Sequence, residues 1–190
     1  MSRRAWAWGV PVAVLVLGAL GWLYATSTPR YALYRLGVAM QRHDVAAAER
    51  YFDVERIADS ASEVIVTDYL ARQPAPTTDA ESAGRQLAAR IAKRRIQPQV
   101  VTRVRAEIRR SVERAGIQPT ALVLPVGAVA VFRAFEVSSA GRDVWVTYRD
   151  PARGPVRFRM SPQGDRGWQI SEFDPEWVRR RAQEEPVRIR

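Results

Sequence analysis

The strongest constraint on this 190-residue chain is an uncharged segment near its amino terminus. Residues 5–24 read AWAWGVPVAVLVLGALGWLY. A helix rises about 1.5 Å per residue, so a stretch of this length can cross the roughly 30 Å hydrocarbon layer of a membrane. Aromatic rings, which favour the headgroup level, stand near both ends: Trp6, Trp8, Trp22 and Tyr24. The pattern predicts a transmembrane helix within an anchor region of residues 1–27.

Two other interpretations of this segment are a cleaved secretory signal and a buried core helix. Ala25, Thr26 and Ser27 are small enough to form a cleavage site. The apolar run is longer than that of a typical signal, however, and its aromatic ends suit an uncleaved anchor. Arg3 and Arg4 favour a cytoplasmic amino end, although arginines also lie shortly after the segment. Because long domains translocate largely regardless of charge, we expect a single-pass inner-membrane protein with a periplasmic or extracellular carboxy-terminal domain.

The rest of the chain is long enough for one domain with a real core. We place this domain at residues 28–175 and a basic tail at residues 176–190. Because the chain has no cysteine, disulfides, thiol nucleophiles and thiolate metal sites are excluded. The formal net charge is +10, and subtracting the charges of Arg3 and Arg4 leaves +8 for the chain beyond the anchor. Such a charge favours anionic neighbours, of which lipid headgroups are the nearest at a membrane.

Three helix starts can be read after the anchor. Thr28 and Pro29 suit an N-cap and a first helical position, and Asp44 and Asp53 are predicted to cap a second and a third helix. The predicted apolar faces of the three helices are Leu33, Leu36, Gly37 and Met40; Val45, Ala48 and either Tyr51 or Phe52; and Val54, Ile57, Ala61, either Val64 or Ile65, and Tyr69. Residues 73–78, rich in proline, are predicted to form a turn or mobile loop.

The middle third of the chain is predicted to be helical and is unusually basic. Its apolar stripe comprises Val101, Val104, Ile108, Val112 and Ala115, and Gly116 suits the helix end. Residues 121–131 are almost continuously apolar, and their periodicity leaves open a short helix or a buried strand.

In the last third the period of apolar residues changes to two. Val144, Val146 and Tyr148 alternate with Trp145, Thr147 and Arg149. Val156, Phe158 and Met160 alternate with two arginines, and a further strand runs from 168 to 173. Turns rich in proline and glycine connect these segments, and a final short helix precedes a frayed tail. We therefore predict an α+β fold in which a transmembrane helix is followed by helices packed on an antiparallel β-meander.

The segment TPRYALYRLGVAMQRHDVAAAERYFDVERIADS, with GWQISEFD in the last strand, resembles the bacterial membrane-anchored proteins grouped as domain of unknown function 2939. The resemblance covers residues 28–68 well and 144–174 more loosely, and it does not extend over the basic middle section. It implies a short anchor and an exported helix-and-sheet domain, related to cone-shaped cystatin-like or nuclear-transport-factor-like folds. The resemblance implies no catalytic residue.

Catalytic chemistry is poorly represented in the sequence. His43, the only histidine, stands beside Asp44, but a turn between helices explains the pair. Glu55, Asp59 and Glu63 are spaced to share a helix face, where pairing with arginines is expected more than cation binding. Phosphate-binding glycine loops and nucleophile elbows are absent from the sequence. We expect a non-enzymatic protein without cofactor or metal.

Two binding surfaces are predicted instead. If the first helix packs on the sheet, aromatic side chains could line an apolar pocket for a small ligand: Tyr31, Tyr34, Trp145, Phe158 and Trp168. A basic sheet face could contact lipid phosphate or an acidic envelope protein: Arg149, Arg157 and Arg159. Nucleic-acid binding is disfavoured because the basic residues are dispersed and no recognised module is present. The sequence thus predicts a membrane-anchored binding or accessory module of the bacterial envelope, with a ligand-binding cone as the alternative.

Overall fold

The computed structural model describes residues 27–114, 135–150, 154–164 and 167–184. The helices, in chain order, are α1 Pro29–Gln41, α2 Val45–Glu49, α3 Val54–Ala71, α4 Asp79–Arg114 and α5 Pro175–Glu184. The strands are β1 Phe135–Ala140, β2 Asp143–Asp150, β3 Gly154–Pro162 and β4 Trp168–Phe173. The predicted α+β architecture is confirmed. The proposed span, residues 5–24, lies outside this set, and no helix within the set is long and apolar enough to cross a membrane.

The first three helix starts are those predicted from the sequence. The Thr28 hydroxyl accepts a hydrogen bond from the backbone N–H of Tyr31, with Pro29 at the first helical position. Asp44 Oδ1 accepts from the N–H of Ala47 at 2.9 Å. Asp53 Oδ1 accepts from the N–H of Arg56 at 3.1 Å. Each cap satisfies a backbone donor that has no partner within its helix.

The four strands form one antiparallel meander in the order β1-β2-β3-β4. The alternation predicted for β2 and β3 is confirmed, because Val146 is buried opposite Phe158 and Val144 lies opposite Met160. Strand β1 is not predicted by the sequence analysis. Its Phe135 and Val137 alternate only briefly, and the serines and alanine after them carry no apolar pattern.

The junction between α2 and α3 fixes the helices to the sheet. Residue Phe52 forms a parallel bridge with Ile170 of β4. Asp53 N–H donates to the Ile170 carbonyl at 2.9 Å, and Ile170 N–H donates to the Tyr51 carbonyl at 2.8 Å. The Gln169 side chain also donates to a backbone carbonyl in this junction at 2.7 Å. These bonds cover the edge of β4 and align the start of α3 with the direction of that strand.

The core lies between the sheet and the helices. Its buried members include Leu33 and Leu36 of α1, Ala48 of α2, Ile57 of α3, Ile108 and Val112 of α4, and Val146, Phe158, Met160 and Ile170 of the sheet. One residue that the sequence predicts in the core lies outside it. Tyr69 is 51% exposed, because the last turn of α3 extends beyond the elements that bury its earlier turns. The predicted roles of Ala115, Gly116 and residues 121–131 fall outside the described ranges.

The final helix packs on the domain. Val178 of α5 is buried with Ala58, Ala61 and Val100, and Trp177 stacks on Phe173 with ring centroids 4.8 Å apart. The folded part therefore continues to Glu184, past the boundary predicted at residue 175, because the apolar side of this short helix is buried.

Candidate interaction surface on the α3–α4 hairpin

Helices α3 and α4 form an antiparallel hairpin whose facing charges are paired. Lys93 Nζ lies 2.9 Å from Asp59 and 3.2 Å from Glu63, and Arg105 Nη2 lies 2.9 Å from Glu55. The three predicted carboxylates do share one side of α3, and that side faces the basic helix. Within the described ranges no group of histidines and carboxylates is arranged to hold a metal ion.

Lys93 is the centre of this pairing. Partial burial of its ammonium lowers its pKa, but hydrogen bonds to Asp59 and Glu63 and the charges of both carboxylates raise it, and the net pKa lies above the ordinary value. The lysine therefore stays cationic at neutral pH and links two turns of α3. Closer to the loop, the Arg85 guanidinium donates to the backbone carbonyls of Leu70 and Pro74.

The opposite side of the amino-terminal half of α4 exposes apolar and basic side chains together. Leu87 is 59% exposed and Ile91 is 57% exposed, and Arg90 and Arg94 are also exposed. At 3.6 residues per turn these four positions, three or four residues apart, form one continuous patch. Neither arginine makes an ion pair with any residue in the part of the chain that the structure describes. We call Leu87, Arg90, Ile91 and Arg94 the hairpin face.

The single apolar stripe predicted for this helix does not include the hairpin face, although the sequence carries a signal for it. Leu87 and the buried Ile96 are nine residues apart, which is about 2.5 helical turns, so they lie on opposite sides of α4. The apolar stripe therefore changes side within one helix. A search for a single stripe per helix does not detect such a change.

A shallow depression of about 300 Å³ lies next to the hairpin face, near the loop between α3 and α4. Its lining is mixed rather than aromatic: Leu70, Pro76, Ser82, Arg85, Gln86 and Ala89. It is open to solvent and lacks the enclosure that small-molecule sites usually have.

The five residues of the predicted aromatic pocket do not line one cavity. Phe158 is buried in the core, whereas Trp145 pairs in register with Arg159 and so faces the other side of the sheet. Tyr31 and Tyr34 lie next to each other on α1, with ring centroids 6.3 Å apart. Trp168 Nε1 donates to the carbonyl of Ser27 at 2.6 Å.

Tyr31 also contacts a charge. Its hydroxyl accepts a hydrogen bond from Arg35 Nη1 at 3.5 Å. This hydrogen bond and, to a smaller extent, the electrostatic interaction with Tyr51 raise the pKa of the Arg35 guanidinium above its ordinary value. The cluster therefore forms a cationic aromatic surface beside the first turns of α1.

The predicted basic sheet face is largely occupied by internal contacts. Arg159 pairs with Asp143 at 3.0 Å and with Glu172 at 3.1 Å. The Arg157 guanidinium lies 4.7 Å from the ring centroid of Trp145. The side chain of Arg149 lies outside the described residues. This surface is thus a set of cross-strand contacts, with one arginine neutralised by two carboxylates.

His43 and Asp44 both have structural partners. His43 adopts a left-handed φ of +53°, and its Nδ1 donates to the carbonyl of Val112 at 2.9 Å. Asp44 caps α2. The pair thus ends one helix, begins the next and fastens the turn to the carboxy-terminal end of α4. The predicted anchor residues Trp6, Trp8, Trp22 and Tyr24 fall in the part of the chain that is not described.

These features define a small basic α+β domain in which a long helical hairpin extends from a four-stranded meander. The chain belongs to the family described as Protein of unknown function (DUF2939), whose model matches residues 16–111. The match begins inside the apolar segment and includes the basic middle section, which the resemblance read from the sequence left out. It does not include residues 144–174, which that resemblance covered. No curated protein and no solved structure matches the chain.

Proposed function

We propose that this protein is a membrane-anchored, non-enzymatic binding or accessory module of the bacterial envelope, and that its hairpin face binds an acidic protein partner. The observation that carries the proposal is the hairpin face itself. Two large apolar side chains are more than half exposed there, flanked by arginines that have no ion-pair partner among the described residues. A mixed patch of this kind resembles the anchors and charged rim of protein interfaces, where arginine is enriched.

The contrast within α4 supports this assignment. Basic residues that face α3 contact carboxylates or carbonyls of that helix, as Lys93 and Arg105 do. Arg90 and Arg94 have no such contact among the described residues, so their charges are available to a partner. Exposed leucine and isoleucine between them would add apolar burial, worth about 25 cal/mol per Å² removed from water.

Anchoring of the chain is proposed from residues 5–24, whose length and aromatic ends suit a span of the inner membrane. The family match, which begins at residue 16, includes the second half of this segment. We place the folded domain on the exported side, because long domains cross largely regardless of their charge. Alkaline phosphatase fused at the carboxy terminus should be active, and an inactive fusion together with an active cytoplasmic reporter would contradict this orientation.

The alternative of a small-ligand cone has less support, because its aromatic residues lie on two faces of the sheet. The partner proposal is tested by placing a photo-crosslinking amino acid at Gln86, beside the hairpin face, in the full-length protein in cells. We expect a discrete crosslinked product that is lost in the Arg90→Glu, Arg94→Glu variant. The matched control reverses Arg109 and Arg114, two exposed arginines at the other end of α4. Equal loss in both variants, or none in either, would contradict a specific role of the hairpin face.

A further inference from the structure

The point at which the chain enters the folded domain is fixed by a specific contact. Trp168, at the start of β4, donates its indole N–H to the carbonyl of Ser27 at 2.6 Å. Helix α1 begins two residues later, at Pro29, and its N-cap is satisfied by the Thr28 hydroxyl. The first turn of α1 is therefore held against the sheet.

Only four residues separate the apolar segment from the first residue of α1. Residues 25–28 connect Tyr24 to Pro29. The five Cα–Cα steps from Tyr24 to Pro29 span at most about 18 Å, and the polar layer of a membrane leaflet is about 5–7 Å thick. If residues 5–24 span the bilayer, the beginning of α1 is tethered within about 18 Å of the hydrocarbon layer, close enough for its first turns to contact the headgroups. This step rests on the anchoring proposed above.

The side of α1 that turns away from the core has a composition suited to that region. Leu33 and Leu36 are buried against the domain. Arg30 and Arg35 are exposed, and Tyr31 and Tyr34 are partly exposed. Neither tyrosine belongs to the core cluster formed by the described residues. Tyrosine prefers the interface between water and hydrocarbon, and arginine attracts anionic headgroups while its stem contacts apolar surface.

We infer that this root face, formed by Arg30, Tyr31, Tyr34 and Arg35, docks on the anionic lipid headgroups of the membrane that the chain's own anchor crosses. The short connection keeps the face beside those headgroups, so docking is effectively intramolecular. An acidic protein would have to displace lipid that is already adjacent. Docking fixes the orientation of the domain relative to the bilayer rather than leaving it free on a flexible stalk.

Because the chain has no native cysteine, single cysteines can report the position of each region in the full-length protein. We would label Val38→Cys, one turn beyond the root face, Gln86→Cys at the hairpin, and Val14→Cys within the proposed span. Each protein is placed in nanodiscs of phosphatidylcholine alone or with phosphatidylglycerol, and quenching by a water-soluble agent is measured. Comparing the two lipids separates shielding by lipid from shielding by protein.

We expect the label at Val38 to lose accessibility when anionic lipid is present, whereas the label at Gln86 stays accessible in both membranes. Equal accessibility of Val38 in both lipids, with Val14 protected, would overturn the docking inference and leave the anchor intact. An accessible Val14 would overturn both the anchor and the docking. Protection of Val38 found in cells but absent from anionic nanodiscs would assign the root face to a protein and overturn the lipid assignment.

The contribution of the arginine charges to docking is tested separately, with a matched control. Arg30→Gln and Arg35→Gln together should reduce the ratio of docked to undocked protein by roughly fivefold for each arginine. The paired control is Arg95→Gln with Arg109→Gln, which removes the same charge from exposed positions of α4 outside the hairpin face. An equal effect of both pairs would show a response to net charge alone and overturn the assignment to the root face.

Discussion

The two ends of the domain differ in how their side chains are bonded. We call the end next to Ser27, where the chain enters the fold, the root, and the end at the loop between α3 and α4 the tip. At the root, Trp168 bonds to Ser27, and Gln163 donates to the Asp53 carboxylate at 3.2 Å. At the tip, residues 71–81 are all exposed, and Leu87 and Ile91 remain largely in solvent. The root is therefore stabilised by contacts between distant parts of the chain, whereas the tip leaves two large apolar side chains largely in solvent. The surface proposed for recognition is thus separate from the region of these internal contacts.

The direction of the chain separates these regions in space. Strand β4 runs from Trp168, next to Ser27, to Phe173, a distance of about 17 Å. Phe52 pairs in parallel with Ile170, so α3 starts out along the same direction, and Ala61 is already packed in the cluster of Phe173 and Trp177. The last turns of α3 and the first turns of α4 extend further from Ser27. An anchor at the root would leave the hairpin face at the far end of the domain.

The largest effect is expected from emptying the core between the sheet and the helices. Phe158→Ala should lower the free energy of unfolding by about 3–5 kcal/mol, because a buried aromatic ring is removed and a cavity remains. The control Ile91→Ala removes a side chain that is 57% exposed and should cost less than about 1 kcal/mol. Urea denaturation of the detergent-solubilised protein, followed by circular dichroism, measures both. Similar losses for the two variants would show that the tip is packed like the core.

The next effect concerns the cap that joins α3 to the sheet. Asp53→Ala should destabilise the fold by about 1–2 kcal/mol, because the carboxylate caps α3 and also accepts from Gln163. Asp79→Ala changes the charge equally at an exposed position in the first turn of α4 and should cost less than about 1 kcal/mol. The same denaturation experiment compares them, and a larger loss for Asp79→Ala would reverse the proposed ranking of root over tip.

The parts of the fold that the sequence predicted correctly depend on local chemistry. Asp44 and Asp53 identify helix starts because an Asx cap needs only residues within three positions. Strand alternation around Val146 and Phe158 likewise indicates the buried face of the sheet. The same alternation puts Trp145 on the other face, so a stricter use of it would have removed this residue from the predicted pocket.

The parts that could not be predicted depend on distant partners. The spacing of Glu55, Asp59 and Glu63 predicts one shared side of α3, but their partners Lys93 and Arg105 are 30 to 50 residues away in the chain. Helical spacing states which residues share a face and not which element covers it. For the same reason the basic residues of α4 that contact α3 could not be distinguished from those that do not.

The ion pairs between α3 and α4 provide a test with a smaller expected change in the free energy of unfolding. Lys93→Gln should cost about 0.5–1 kcal/mol at neutral pH and low salt, because Asp59 and Glu63 lose their shared cation. Arg94→Gln, at the neighbouring position, removes an arginine that has no ion pair among the described residues and should change the free energy of unfolding by less than about 0.5 kcal/mol. In high salt the two variants should converge, since screening weakens exposed ion pairs.

The pH dependence of the same pair has a defined sign. The pKa of Lys93 is raised in the folded state, so its stabilising contribution is complete below the ordinary lysine pKa and is lost as pH rises through the folded value. The difference between the native chain and Lys93→Gln should therefore be constant from pH 7 to about pH 10 and shrink above it. A difference that grows in alkaline solution would show that the ion pair is not its source.

The smallest effect on stability is expected at the hairpin face, and this expectation is the most direct test of the difference between root and tip. Leu87→Ser with Ile91→Ser should leave the free energy of unfolding within about 1 kcal/mol of the native value, because both side chains lie mainly in solvent. The same variant should weaken crosslinking at Gln86, since it removes the apolar centre of the proposed interface. Ala83→Ser with Ala88→Ser is the matched control on exposed positions of the same helix. Loss of crosslinking without loss of stability would assign Leu87 and Ile91 to recognition. A large loss of stability would instead show that both side chains pack within the protein, and it would contradict the hairpin face as a binding surface.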